Sequence, residues 1–479
     1  MATKRRRVSE AEESSFLSPV NKLGLLQELE KVVKIQSVTL GNEHRVSTGL
    51  LCIDLILGGG ISPAMYTVAG PEQSAKTTLA IAMMGSAVNQ KVSLPVLWDA
   101  ENSSGSSMDY VENIFNTMGV KANVETIFGV KQNGKYVTEP LVYYRDEAEL
   151  NTFYDWLSAL LRRLPDKRYE DGRWWYVYEA TQENKAKYKS MMDRKLSAAN
   201  GAIYIEAENG SLQAYILVDS YPSLLPDSMD EDDPKAGMAL QAREFAKHVP
   251  RVAGKLRAKR VALVGINQIR EKIGFVMGDP RYEPGGNALK FYSSVRMWNT
   301  PRALSGVPFH PKGKGMYEPE KSVTVDGGSD MYRYIHVKAI KNKLSVPNRE
   351  TWLRLWVTDG DGLAQGFDPV WDTFYAMFLT GQVSGKRSAI QLDIHGIGPA
   401  KKLLTWEQFK LLVIGDKEQI TSICERIGYK PFNLRKGMFN LMRKGVLESL
   451  YIENLKTKSD SKKEDDDEDE DGDDEDSDD

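Results

Sequence analysis

Residues Val68–Thr78 read VAGPEQSAKTT. An apolar run, MYTVAG (Met65–Gly70), precedes the loop, and TTLAIAMMGSAVN follows it with helical character. This is the strand–loop–helix context of a phosphate loop, G-x-x-x-x-G-K-[ST], with Ala75 standing where the second glycine belongs. Such a loop works because consecutive backbone N–H groups point into one concavity at a helix N-terminus. Gly70, Lys76 and Thr77 keep their places. The lysine supplies charge to the β- and γ-phosphates, and the hydroxyl holds Mg²⁺. Ala75 adds one methyl group. In a right-handed backbone it costs little; at positive φ the cost is on the order of 1 kcal/mol. Neither case abolishes binding by itself.

Outward from the loop, short apolar runs alternate with helical stretches. LPVLWDAE (Leu94–Glu101), AYILVDS (Ala214–Ser220) and RVALVGINQ (Arg260–Gln268) read as buried strands. The helix LQAREFAKHVPRVAGKLRA precedes the last of them, and Pro250 is expected to kink or break it. The pattern predicts an α/β fold with a mostly parallel sheet flanked by helices. Two acids fall at strand ends. Asp219 is placed to hold Mg²⁺ as a Walker B aspartate does. Glu101 is placed to polarise an attacking water.

At 479 residues the chain is too long for one compact core, and several domains are expected. Residues 1–45 read as an N-terminal arm ending in an amphipathic helix, with Leu23, Leu26, Leu29 and Val32 at helical spacing. Residues 46–360 form the core, with an inserted subdomain at about 120–213. Residues 361–455 read as a small α+β C-terminal domain, and 456–479 as a disordered acidic tail. In the insertion, Trp174 and Trp175 read either as packing residues or as stacking platforms for nucleic acid. DIHGIGPAKKL (Asp393–Leu403) resembles the G-x-G turn of a helix-hairpin-helix, or is a plain turn.

Charge is unevenly spread. The last 16 residues hold 14 acids, leaving 63 bases against 53 acids in the body. A basic body suggests a polyanionic partner, and the tail reads as a competitor for it or as a solubiliser. Lys4–Arg7 is an import signal, a nucleic-acid arm or a solvated terminus. Two cysteines and five histidines without ligand spacing argue against structural zinc and a disulfide framework. No signal peptide or long apolar run is present, so no membrane partner and a cytoplasmic location are expected.

Further along stands INQIREKIGFVMGDPRYEPGGNALKFYSSVRMW, Ile266–Trp298. This stretch resembles the RecA family of homologous-recombination ATPases, from the sensor strand through the second DNA-binding loop. Other blocks agree in order: VSTGLLCIDLILGGGI, GPEQSAKTT, DAE, VDS, GMALQAR and VKAIKNKLSVP. The resemblance covers roughly Val46–Asp361 outside the insertion. The insertion, altered loop and acidic tail look more like phage-encoded members, which are similar in carrying a non-glycine at the Ala75 position.

The resemblance implies a RecA-type P-loop ATPase core and the following roles. Gly70, Pro71, Glu72, Gln73, Ser74, Ala75, Lys76, Thr77 and Thr78 cradle the phosphates, and Thr77 and Asp219 serve Mg²⁺. Glu101 activates water. Gln268 senses the γ-phosphate, Lys341 and Lys343 reach ATP on the adjacent subunit, and Tyr110 stacks on the base. Met238 and Arg243 belong to the first DNA loop. Arg270, Lys272 and Ile273 belong to the second, and Gly285, Gly286 and Asn287 place backbone amides on DNA phosphates. Phe291 packs across the subunit interface.

The implied activity is ATP-dependent pairing and exchange of single-stranded DNA with a homologous duplex, by a helical filament with mediator or single-strand-binding proteins as further partners. Residues 270–286 support a DNA loop independently. Bases beside apolar wedges (Ile273, Phe275, Val276, Met277) suit phosphates and unstacked base steps; the alternative is a lid over the nucleotide. Two rival functions are a ring helicase and a hydrolysis-deficient architectural filament.

Overall fold

The computed structural model describes residues 45–102, 108–133, 135–207, 212–227, 234–271, 281–302, 332–356, 366–386 and 388–443. The expected arm at 1–45 (but for residue 45) and tail at 456–479, together with Lys272 and Ile273, lie outside them.

The architecture is mixed α/β around a nine-stranded sheet. In chain order its strands are β1 (Met65–Gly70), β2 (Leu94–Asp99), β3 (Tyr143–Arg145), β4 (Ala214–Asp219), β5 (Val261–Gln268), β6 (Val295–Arg302), β7 (Tyr332–Asn342), β8 (Glu350–Trp356) and β9 (Gly366–Phe367). In space they run β9-β8-β7-β6-β1-β5-β4-β2-β3. From β6 to β3 all neighbours are parallel. The remaining edge, β7 to β9, is antiparallel.

The central strands are apolar throughout because both faces are covered. Alternation divides their side chains between two cores. Tyr66, Val68, Leu97, Tyr215, Leu217 and Val264 join one, beneath helix Lys76–Asn89. Met65, Val96, Trp98, Ile216, Val218 and Leu263 join the other, with helices Leu150–Arg163 and Pro234–Ala258.

The helix Pro234–Ala258 runs through Pro250 without the break that the sequence allowed. Phe245 and Val249 on one side of the proline, and Val252 and Leu256 on the other, are all buried in the same core. That packing holds both halves in one helix although Pro250 donates no hydrogen bond.

Within 120–213, β3 belongs to the main sheet and helix Leu150–Arg163 to its packing. A separate three-stranded antiparallel sheet spans Asp166–Glu170, Arg173–Glu179 and Ala202–Glu206. Trp175 is buried there with Val177 and Tyr204, and Trp174 lies beneath the Arg260 guanidinium at 4.7 Å. Residues 393–399 form a β-hairpin in which Asp393 faces Pro399 and Ile394 faces Gly398. The helix-hairpin-helix resemblance is thereby replaced by a plain turn, with Gly396 and Gly398 at positive φ.

Phe374, Trp406 and Phe409 of the C-terminal helices join the larger core. Asp372 links them to the front of the chain. It accepts from the backbone N–H groups of Leu51 and Cys52 and from Arg435, and Arg435 also donates to the Gly49 carbonyl. Cys52 and Cys424 are both buried and free. Among the described residues no helix is long and apolar enough to cross a membrane.

Candidate functional site

Parallel strands bring their C-terminal ends to one edge of the sheet. There Gly70 faces Gln268 across β1 and β5, and Asp99 faces Asp219 across β2 and β4. Glu101, just past β2, donates its N–H to the Asp219 carbonyl at 3.1 Å. Residues separated by almost 200 positions therefore share one rim.

The loop Pro71–Ala75 is folded on itself. Ser74 Oγ and Lys76 Nζ both donate to the Pro71 carbonyl at 2.7 Å. Gly70 is required sterically: a Cβ there would strike the Ser74 side chain and the Asn299 carbonyl oxygen. Ala75 caps the following helix at φ 57°, ψ 34°, in the left-handed region. Of the two cases open in the sequence, the costlier one holds, at about 1 kcal/mol. Gln73 is also at positive φ, 56°.

Thr77 Oγ1 donates to Asp219 Oδ2 at 2.9 Å. Asp219 is buried, and burial first, then the negative charge of Glu101, pushes its carboxyl up to about 7; the Thr77 hydrogen bond opposes this. Burial also lowers the Lys76 ammonium, with Asp219 and Glu101 opposing. A buried carboxyl held by one hydroxyl beside a half-buried ammonium has room for a further cation, which fits a metal-bound phosphate group. Glu101 is exposed and accepts from Ser220, and from Ser223 at 3.2 Å. The Tyr110 hydroxyl shares a 2.6 Å hydrogen bond with Thr78, which puts the tyrosine against the first turn of the phosphate-loop helix.

The rim connects to the elements expected to meet nucleic acid. Gln241 donates to the carbonyls of Pro222 and Leu224, just past Asp219, and so ties down the N-terminal half of the helix that carries exposed Met238 and Arg243. On the other branch Gln268 leads into a hairpin in which Arg270 faces Tyr282 and Glu271 faces Arg281. Buried Glu283 follows and accepts from Arg296 and Trp298, each at 2.6 Å. Gly285 and Gly286 have φ of 88° and 74°, and a Cβ on Gly286 would come within 2.9 Å of Ala242. The helix Gly286–Tyr292 thus packs directly on the helix of Met238 and Arg243, with Asn287 exposed at its start.

Lys341 and Lys343 meet the C-terminal end of the helix Gly286–Tyr292. Lys341 Nζ donates to the carbonyls of Lys290 and Phe291 at 2.7 and 2.8 Å. Burial, with Lys343 and Arg296 nearby, lowers Lys341 to about 8. Phe291 is 66% exposed, with Lys343 Nζ 5.4 Å from its ring.

Sequence reasoning missed Asn299, Gln241 and the Ser220–Ser223 pair. Asn299 is fully buried on β6, and its amide approaches the Ser74 carbonyl at 3.3 Å, supporting the loop from below. A lone asparagine inside the strand VRMWNTPR was the available signal.

Residues 202–303, from just before β4 to just past β6, match the family model for the RecA N-terminal domain. This stretch is similar to RecA. The RecA of Thermus aquaticus is 29% identical over 197 residues, 41% of this chain and 51% of that protein. The RecA of Mycoplasmopsis pulmonis is 34% identical over 145 residues, 30% and 37% of the two chains. With the RecA of Colwellia psychrerythraea, identity is 26% over 332 residues, 69% and 70%. The first two matches thus span about half of the relative's length or less. A solved structure of the RadB recombinase superposes with a TM-score of 0.37 at 12% identity, covering 65% of this chain and 96% of that one.

Proposed function

We propose that this RecA relative is an ATP-dependent DNA recombinase that assembles as a filament on single-stranded DNA and pairs it with a homologous duplex. One adjacency supports the reading most. Gln268 ends its strand opposite Gly70 of the phosphate loop, and two residues later Arg270 opens the hairpin of the second DNA loop. A side chain at Gln268 that senses the γ-phosphate is thereby joined to the DNA loop by covalent backbone.

The loop amides and Lys76 receive the phosphates, Lys76 giving up its contact with the Pro71 carbonyl. Thr77 and Asp219 are the residues to hold Mg²⁺, which when bound offsets the negative charge of the phosphates. Glu101, oriented by Ser220 and Ser223, accepts the proton of the attacking water. Lys341 and Lys343, flanking exposed Phe291, act on the ATP of a neighbouring copy, so hydrolysis depends on assembly. Backbone contacts from Gly285–Asn287 grip DNA without reading sequence, and homology is tested later by base pairing.

The test is phosphate release with and without single-stranded DNA, beside electron microscopy with a non-hydrolysable ATP analogue. Stimulated turnover and helical polymers are expected, both lost in Lys76→Ala. Polymers without turnover would make the chain an architectural filament. Unwinding of a tailed duplex without a homologous strand would make it a helicase.

A further inference from the structure

We propose that the groove between helices Leu150–Arg163 and Pro234–Ala258 is an additional site for a DNA phosphodiester backbone, separate from the two DNA loops. The inference rests on the DNA-binding reading above. The groove has a volume of ≈ 780 Å³ and is lined by Asp155, Ser158 and Arg162 from the first helix and His248, Arg251 and Lys255 from the second. Both sets recur at i, i+3 and i+7, so each is one continuous helix face.

The groove is permanent because its floor is core. Leu157, Leu161, Val252 and Leu256 are buried beneath it. Tyr154 stacks on His248 with centroids 5.2 Å apart, and Asn151 lies 3.2 Å from His248 Nε2, which fixes the distance between the helices.

The charges above that floor are uncommitted. Among the described residues, Arg162, Arg251 and Lys255 have no carboxylate within 4 Å, whereas neighbouring Lys247 and Lys259 are paired with Glu244 and Asp166. Asp155 is the one acid in the lining, so the groove carries three fixed positive charges against one negative. His248, beside Glu244, is held down by burial and by Lys247 and adds little charge at neutral pH.

A nucleic-acid backbone suits this arrangement better than an acidic peptide. Arg243, Lys247, Arg251 and Lys255 fall at every fourth residue of one helix, about 6 Å apart along its axis. This basic line begins at Arg243, beside the first DNA loop, and ends in the groove. Arg162 and Arg251 can each take two phosphate oxygens in a fork.

The experiment is fluorescence anisotropy of a labelled oligonucleotide, single-stranded and duplex, across salt, with wild type, Arg162→Ala/Arg251→Ala/Lys255→Ala, Arg251→Lys/Lys255→Arg and Arg270→Ala. These side chains are surface groups, and equal thermal melting verifies the fold. Each lost phosphate contact lowers the slope of log K against log salt by about 0.7 on single strands and about 0.9 on duplex. The triple variant is expected to lose about 2 on single strands or nearly 3 on duplex, and the charge-preserving variant nothing. An unchanged slope in the triple variant, with Arg270→Ala weakened, overturns this site and leaves the DNA-binding reading intact. Wild type that binds no DNA at any salt sinks both. Polyglutamate that binds the wild type but not the triple variant, with the DNA slope unmoved, assigns the groove to an acidic peptide and overturns the proposal.

Discussion

Gln268 sits directly across from Gly70, and the Gly70 carbonyl accepts the N–H of Ile269, the next residue. The phosphate loop therefore holds the root of the hairpin through its own backbone. Gln268→Ala leaves that backbone contact in place and removes only the side-chain amide. ATP binding is expected to change less than threefold, whereas DNA-stimulated turnover falls at least tenfold. Nucleotide titration beside phosphate release measures both; equal loss of the two would deny Gln268 a coupling role.

Much of this rim was legible in the sequence. Continuous apolar strands ending in Gly70, Asp99, Asp219 and Gln268 carry their own boundary signals, and parallel pairing places those ends together. What was not legible depends on long-range packing or on one dihedral angle. No periodicity announces that Asn299 supports the Ser74 carbonyl, or that Gln241 ties a helix to Pro222. That Pro250 leaves its helix unbroken has the same origin, since its local cost is outweighed by four buried neighbours.

The left-handed Ala75 makes a measurable demand. Ala75→Gly relieves strain of about 1 kcal/mol, partly offset by the greater freedom of glycine in the unfolded chain. A small rise in Tm, with ATP affinity retained or tightened, is expected. Ala75→Val places a β-branched side chain at φ 57° and is expected to weaken ATP binding tenfold or more. Equal affinities in all three would mean that the loop adopts another conformation when it binds.

Asp219 predicts a pH dependence. Its folded value is about 7, against 3.8 for an ordinary carboxyl. Between those values the native state binds more protons than the unfolded one, so this group's contribution to stability falls as pH rises and is fully lost above about 7. Asp219→Asn does not titrate. Its Tm relative to wild type, measured without nucleotide or metal, is expected to climb from pH 4 to pH 7 and then level off. A flat difference would show that Asp219 is ionised throughout.

Phe291 is a large apolar side chain held at the surface beside two lysines. Burying such a ring in an interface contributes about 1.5–3 kcal/mol. Phe291→Ala is expected to raise the concentration needed for self-assembly at least tenfold, with monomer melting and ATP binding unchanged. Sedimentation with ATP and single-stranded DNA decides it, and unaltered assembly would remove Phe291 from the interface.

The Asp372–Arg435 pair tests whether the C-terminal helices stabilise the core. Asp372 is buried, and Arg435 reaches its carboxylate at 2.9 Å while also donating to the Gly49 carbonyl at 2.6 Å, close ahead of helix Leu51–Leu57. Arg435→Met leaves a buried carboxylate that only two backbone N–H groups satisfy. Removing one partner of a buried pair costs about 3–5 kcal/mol. Replacing both, Asp372→Leu with Arg435→Met, is expected to recover part of that loss, limited by the freed N–H groups of Leu51 and Cys52. Because the pair joins both ends of the described chain, the single variant should unfold in one transition at a lower denaturant midpoint. A separate early transition confined to residues 366–443 would show instead that these helices melt independently of the phosphate-loop sheet.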